Sequence, residues 1–389
     1  MKKERLGNID FFKFIGVLAI IWFHMNICMF HFYTDTIPLF VKTTRNSCSA
    51  GMWTELFFII SGFFLFKNPK RVSLSVFLLK RYLRLYPVVF FCLFLYWFFD
   101  ALGLLSYRGS ENVLTMLSLN GTAIAGPFMG NIHPSWFVSV LLWASFILVW
   151  LKQLLPEKWF NFSVFLIIFI GLGYISSHDT KVWLIVGKTI SIGFLKGLIC
   201  LSIGYAIKVF YDKFKNLWLN KKSLIVSLIL TMLECYFFKF LIFNTCFHKM
   251  NFSMAYPLIL LAEIGLVVCF LVNKSFISKF LNNRFSNFLG NISYSILMSH
   301  IIILDFFSKN IFPKHFSLLA LYPYLMILII MLLSIILGLI ILYFFEKPCS
   351  NYVNKLLKQI EIFNTLQRVD TLVDCASNPL ESGGTCVQK

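Results

Sequence analysis

Long apolar runs separated by short, often basic, loops dominate the chain. A membrane-spanning helix needs about 20 mostly apolar residues. Runs of that kind lie at 10–31, 51–67, 85–103, 134–151, 159–175, 183–207, 223–244, 254–273, 288–306 and 321–345. The pattern predicts an all-α, polytopic transmembrane bundle of about ten spanning helices, forming one domain over residues 1–349. Residues 350–389 soon lose this apolar character, so we expect a largely disordered cytoplasmic tail there.

Composition and loop charge support this architecture. Hydrophobic residues make up 59% of the chain, charged residues make up only 13%, and the mean hydropathy is +0.79, which excludes an ordinary soluble protein. Lys and Arg concentrate in every second loop, which predicts that both termini are cytoplasmic. The net charge of +18 is dispersed between helices rather than gathered on one soluble domain. We therefore expect the lipid bilayer, and no nucleic acid, as a partner.

Three ionisable residues interrupt the first apolar run, NIDFFKFIGVLAIIWFHMN at 8–26: Asp10, Lys13 and His24. Lys13 and His24 are eleven residues apart, about three helical turns, so they share a face, and Asp10 falls within roughly 40° of His24. His24 should lie about 16 Å deeper than Lys13. Asp10 and Lys13 could simply pair near the inner surface, whereas His24, in the outer half of the bilayer, should face the bundle interior.

Further candidate groups lie in the next two runs. Glu55 stands at a depth similar to that of His24 and could orient its imidazole. The adjacent Ser61-Gly62 pair favours close helix packing. Arg81 and Arg84 are three residues apart and share a helix face, so they suit phosphate binding, although cytoplasmic anchoring alone would also explain them.

Later segments add two histidines. His300 lies level with His24, where it could act chemically or only pack against Ser293 or Tyr294. The segment HPSWF at 133–137 contributes His133 and Trp136, and we interpret Trp136 as part of the interfacial aromatic belt. The ten cysteines show no metal-ligand spacing, so no metal site is predicted, and a disulfide between Cys48 and Cys246 stays open.

Taken in order, these motifs resemble the acyltransferase type 3 family over roughly residues 8–349. The residues that carry the resemblance are Lys13-x10-His24, then Glu55, Phe57, Phe58, Ser61, Gly62 and Phe63, then Arg81, Arg84 and Pro87, then Trp136 and Phe137, then Ser293, Tyr294 and His300, and finally Glu346 and Pro348. Three positions depart from the family pattern. Lys13 replaces the usual Arg, Glu55 replaces a common Asp, and Leu297-Met298 replace a Tyr-Leu pair.

The resemblance implies a multi-pass enzyme of the bacterial inner membrane. It would transfer an acetyl or other short acyl group from cytoplasmic acetyl-CoA, a co-substrate, to a hydroxyl of a surface polysaccharide or its lipid-linked oligosaccharide precursor. On this reading the catalytic residues are His24, Glu55 and His300, acyl-CoA is bound by Lys13, Arg81 and Arg84, and the supporting residues are Asp10, Ser61, Ser293 and Tyr294. His24 would act as a general base or form a transient acyl-histidine.

A proton-coupled transporter or flippase is the main alternative, because it would also bury His, Glu and Lys along a polar path. Transporters of this type often show two similar halves, and the sequence has no such symmetry. Neither the acceptor sugar nor the identity of the acyl group follows from the sequence.

Overall fold

The computed structural model describes residues 5–32, 53–66, 73–122, 131–177, 185–186, 190–219, 224–244, 252–315, 322–357 and 359. The helices are α1 (Gly7–Phe32), α2 (Trp53–Leu65), α3 (Leu74–Ala101), α4 (Gly109–Met116), α5 (Ser135–Leu154), α6 (Glu157–Ser177), α7 (Ile192–Leu219), α8 (Leu224–Ile242), α9 (Phe252–Val272), α10 (Phe276–Leu281), α11 (Arg284–Phe306) and α12 (Pro323–Ile341). The π-helical segments Phe307–Ile311 and Leu342–Glu346 continue α11 and α12. Two short antiparallel strands, β1 (Ile185–Val186) and β2 (Ile190–Ser191), precede α7.

The predicted all-α polytopic bundle is confirmed. Within the described part of the chain, eight helices are long and apolar enough to cross a membrane, and two shorter apolar helices, Trp53–Leu65 and Tyr256–Val272, complete the ten predicted runs. One predicted start is wrong: the run at 183–207 forms the β1–β2 hairpin before its helix begins at Ile192. Helical structure continues past residue 349 to residue 357, while most of the predicted tail, and Cys48 and Cys246, lie outside the described residues.

A polar cap begins α11, and close contacts join this helix to α1. The Asn283 side chain accepts a hydrogen bond from the backbone N–H of Ser286 (2.9 Å) and so begins α11. Near the start of α1, Asp10 lies against Gly290 of α11, and further along both helices His24 lies beside His300, so the two helices run in parallel. We call the end where α1, α3 and α11 begin the basic end, and the end where they finish the histidine end.

Large apolar side chains cover the outside of the bundle as well as its interior. Phe169 and Ile170 of α6 and Met232 of α8 are between 65% and 68% exposed, although all three are strongly hydrophobic. A soluble protein would pay for such exposure in water, whereas a lipid environment makes it favourable. The outward faces of α6 and α8 are therefore lipid-facing surfaces.

Helices α2 and α7 approach each other through glycine. A Cβ atom at Gly62 would lie 2.2 Å from the carbonyl oxygen of Leu201, and one at Gly204 would lie 2.2 Å from the carbonyl oxygen of Ile59. Only glycine permits the two backbones to come this close. The predicted packing role of Gly62 is confirmed.

Replacing Gly62 with alanine should destabilise the protein, because the added methyl group meets rigid backbone. We expect a loss of about 1–3 kcal/mol, the usual range for overpacking, measured as a lower midpoint of thermal unfolding in detergent. Gly173→Ala is the matched control, because a Cβ atom there meets nothing within 4 Å. Equal midpoints for the two variants would contradict the close α2–α7 contact.

Candidate active site

Three histidines converge at the histidine end. His24 of α1 lies with its ring centroid 5.3 Å from that of His300 of α11 and 6.4 Å from that of His133, which stands just before α5. His24 therefore faces the bundle interior, and the structure brings it together with His300 from 276 residues away in the sequence. Among the described residues, no group of three or more His, Cys, Asp or Glu side chains is arranged to hold a metal ion.

The ring of His300 is held in one orientation. Its Nδ1 atom lies 2.9 Å from the carbonyl oxygen of Leu297 and 3.3 Å from that of Ile296. Carbonyl oxygens only accept hydrogen bonds, so Nδ1 carries the proton and, in the neutral ring, Nε2 keeps its lone pair. Nε2 is buried and has no hydrogen-bond partner among the described residues. It is therefore an acceptor that His24 or a bound substrate could satisfy.

Ser293 and Tyr294 bond to backbone rather than to His300. The Ser293 hydroxyl donates to the carbonyl oxygen of Leu289 (2.7 Å), and the Tyr294 hydroxyl donates to that of Leu85 (2.5 Å). The second bond ties α11 to α3 immediately beside Arg84. Tyr294 therefore joins α11 to α3 near the basic end. Its described hydrogen bond is not to His300, beside which we predicted its supporting role.

At the basic end, two cations share the carboxylate of Asp10. The Asp10 carboxylate accepts hydrogen bonds from Arg5 and from Lys13 Nζ, the latter at 3.3 Å. Arg5 also donates to the side-chain oxygen of Asn291 (2.6 Å) on α11. The predicted pairing of Asp10 with Lys13 is therefore present, and it includes a second cation.

Lys13, Arg81 and Arg84 gather positive charge at the same end. Arg84 is close enough to interact electrostatically with Lys13 and with Arg81. The Nε group of Arg81 is buried, with no hydrogen-bond partner among the described residues, while Arg84 is exposed. Glu346 interacts with Arg84 and accepts a hydrogen bond from Ser295. Cations outnumber carboxylates here, so the arrangement suits a phosphate-bearing ligand.

Glu55 lies in a different part of the bundle's interior. One carboxylate oxygen accepts from Lys196 Nζ (2.9 Å), the other from the Thr54 hydroxyl (3.0 Å), and the Glu55 and Lys196 side chains are 2% and 5% exposed. The Lys196 ammonium also lies 4.8 Å from the centroid of the Tyr256 ring. The described contacts of Glu55 do not include His24, so its predicted orienting role has no contact to support it.

Trp136 corrects another expectation. The side chain is only 9% exposed, and its ring lies 6.3 Å from that of Phe58 and 6.4 Å from that of Phe137, centroid to centroid. It packs between α2 and α5 inside the bundle rather than on the lipid-facing surface that we expected. Ser61 is half-buried on α2, next to the glycine contact with α7.

Sequence reasoning missed several ionisable residues inside apolar runs, among them Lys196, Glu263 and Asp305. Glu263 is 2% exposed and interacts electrostatically with Glu55 and Lys196. Asp305 interacts with His133 and accepts a hydrogen bond from the Tyr96 hydroxyl (2.6 Å). The rule that singled out Lys13 and His24, an ionisable group within a spanning segment, would have found all three.

The comparison with protein families gives one result. A family model described as an acyltransferase domain matches residues 6–344. Neither the search of curated proteins nor the search of solved structures gives a match.

Breaking the Glu55–Lys196 pair should be costly because it leaves a buried charge unpaired. Lys196→Met should lower the free energy of unfolding by about 3–5 kcal/mol, measured by thermal or denaturant unfolding in detergent. Lys208→Met is the control and should cost much less, because its partner Asp212 is 48% exposed and stays hydrated when the pair is broken. Adding Glu55→Gln to Lys196→Met should restore most of the loss, and failure to do so would contradict a closed ion pair.

Proposed function

Because the chain belongs to this acyltransferase family, we propose that it transfers an acetyl or other short acyl group from cytoplasmic acyl-CoA to a hydroxyl of a surface glycan. The acceptor is a cell-surface polysaccharide or its lipid-linked precursor. Family membership and the membrane-spanning helices establish a membrane acyltransferase in general. The donor and acceptor classes are the proposed part.

The separation of two polar clusters along shared helices carries the proposal. Helix α1 places Lys13 in the basic cluster and His24 in the histidine cluster, about 16 Å apart along the helix axis. Helix α11 begins at the basic end and carries His300 to the other. A donor with phosphates at one end and a thioester on a long flexible arm fits such a division, because its charged and reactive parts are also far apart.

Loop charges predict that the basic end faces the cytoplasm, where acyl-CoA is available. The histidine end would then open toward the outside of the bacterial inner membrane, where a surface glycan is assembled. A substrate from each side can meet at His24 without crossing the membrane. This arrangement accounts for an imidazole in the outer half of an otherwise apolar helix.

His24 is the proposed proton-transferring group. It removes the proton from the acceptor hydroxyl, whose oxygen attacks the thioester carbon, and the departing thiolate takes the proton as the carbon–sulfur bond breaks. Alternatively, a His24 nitrogen attacks first and carries the acyl group as an acyl-histidine. In both routes His300 Nε2 can accept a hydrogen bond from the His24 ring and orient it.

One buried cluster would also suit a proton-coupled transporter or flippase. Glu55, Lys196 and Glu263 are all nearly inaccessible and lie together in the bundle's interior. In such proteins, buried ionisable groups mark the proton path. Transfer from labelled acetyl-CoA in purified membranes separates the two functions, since a transporter would not consume the thioester.

His24→Ala should abolish transfer of label from [acetyl-14C]acetyl-CoA to surface glycan and release of CoA, because no other group then takes its place at the thioester. His315→Ala is the control, since His315 is exposed and lies beyond the π-helical segment that follows α11. A comparison of surface-glycan acetylation in cells carrying each variant gives the same test in vivo. An unchanged rate in His24→Ala would exclude His24 as the catalytic group.

Arg81→Gln and Arg84→Gln should each raise the KM for acetyl-CoA about tenfold, equivalent to about 1.4 kcal/mol, with a smaller change in kcat. The reason is loss of charge-assisted contacts to phosphate. Arg284→Gln, an exposed basic residue at the start of α11, is the matched control. Steady-state kinetics at two ionic strengths would check the result, and equal KM values for all three variants would contradict a phosphate site here.

A further inference from the structure

His133 is the one histidine of the cluster to which the proposed function gives no role. Its ring centroid lies 6.4 Å from that of His24, and it interacts electrostatically with both His24 and His300. His300 is fully buried, whereas His133 is only partly buried and stands at the start of α5. A group that meets an acceptor arriving at the histidine end must be accessible from there, and His133 meets that condition better than His300.

Hydrogen bonds of Asn131 anchor the backbone that leads to His133 and α5. Asn131 and Asn112, both buried, bond reciprocally: Asn112 Nδ2 donates to Asn131 Oδ1 (2.7 Å), and the Asn131 N–H donates to Asn112 Oδ1 (3.0 Å). Asn131 Nδ2 also donates to the carbonyl oxygen of Ser106 (2.6 Å). Ile132 is completely buried, and Pro134 follows His133 directly. The bonds of Asn131 and the burial of Ile132 hold the backbone next to His133, and a functional side chain requires such support.

The loop between α3 and α4, to which Asn131 is bonded through Ser106, also contacts the π-helical segment that follows α11. Lys309 Nζ donates to the Ser106 hydroxyl (2.7 Å), and Asn310 Nδ2 donates to the carbonyl oxygen of Leu104 (2.8 Å). Asp305 itself is held by the Tyr96 hydroxyl and interacts electrostatically with His133. The π-helical segment Phe307–Ile311 follows Asp305 immediately, and such segments are frequent at functional sites. Hydrogen bonds through the α3–α4 loop therefore link the segments that carry His133 and Asp305.

We propose that His133, positioned by Asp305, is the base that accepts the proton of the acceptor hydroxyl, which frees His24 to act on the thioester. This inference rests on the proposed function and refines it. His300 is a poor candidate for this step, because its Nδ1 proton is committed to backbone carbonyls and the residue is fully buried.

Direct transfer begins at the acceptor hydroxyl. The hydroxyl O–H bond breaks and its proton goes to His133, while the oxygen forms a bond to the acyl carbon. His133 passes this proton to the neutral His24, which delivers it to the departing thiolate as the carbon–sulfur bond breaks. Both imidazoles end neutral, so the net result moves the hydroxyl proton to the thiol of CoA. The Asp305 carboxylate offsets the positive charge on the imidazoles, and other charges facing it are Arg108 and Lys309.

The test uses the full-length protein in detergent, with acetyl-CoA as the donor and water as the acceptor, and follows release of free CoA thiol. His133→Ala should lower kcat about 100-fold, the usual scale for loss of a general base, with the KM for acetyl-CoA unchanged. Added imidazole should restore part of kcat in proportion to its unprotonated fraction. A merely structural role would produce no such rescue.

Asp305→Asn supplies the positioning readout. It should lower kcat less than His133→Ala does, and the double variant should be no slower than His133→Ala, because the carboxylate acts through the imidazole. Asp212→Asn, on the exposed side of α7, is the matched control and should leave kcat unchanged. Additive losses in the double variant would overturn the coupling of Asp305 to His133.

The outcomes distinguish this inference from the function on which it rests. A parent protein that neither releases CoA with water nor transfers label from acetyl-CoA to surface glycan would defeat the proposed function itself. A parent that is active only with glycan carries the same comparison of variants with glycan as the acceptor. An active parent with a fully active His133→Ala variant, or with a slow variant that imidazole fails to rescue, would overturn the role of His133 alone. If His133→Ala does not fold, as judged by its thermal unfolding midpoint, His133→Asn carries the same comparison of kcat.

Discussion

Direct contact between helices α1 and α11 is the interaction on which the rest of the molecule depends. At the basic end, Asp10 lies against Gly290, where a larger residue would meet the Asp10 side chain. At the histidine end, the same two helices bring His24 and His300 within 5.3 Å, ring centroid to centroid. Because the helices run in parallel and in contact, one pair of elements spans both polar clusters.

Ionisable groups inside this bundle fall into two kinds. Glu55 and Lys196 satisfy each other in a nearly inaccessible pair, with Thr54 completing the set. A closed pair of this kind holds helices together but offers little to a ligand. By contrast, Arg81 Nε, His300 Nε2 and Glu263 Oε2 are buried without a hydrogen-bond partner among the described residues. Leaving such groups unpaired costs free energy, which distinguishes them from the closed Glu55–Lys196 pair.

Arg81 Nε and His300 Nε2 lie at opposite ends of the bundle, and their chemistry differs accordingly. A guanidinium group close to other cations binds an anion. An imidazole whose proton is fixed on Nδ1 presents a single acceptor, which can hold a neighbouring ring in one orientation. The separation of the basic end from the histidine end along α1 and α11 exceeds what a single small active site would need. It matches a reaction whose donor carries its charge far from its reactive bond.

Sequence alone determined the membrane-spanning architecture, because the lengths of the apolar runs follow from bilayer thickness and need no knowledge of neighbours. Helical periodicity also placed Lys13 and His24 on one face, since both belong to one element. It could not decide which partner each buried group meets. Glu55 pairs with Lys196, and His133 joins His24, through contacts between helices far apart in the chain. Such contacts depend on how the helices pack, through glycine at Gly62 and Gly290, so only the tertiary structure decided which ionisable groups are closed pairs and which form the site.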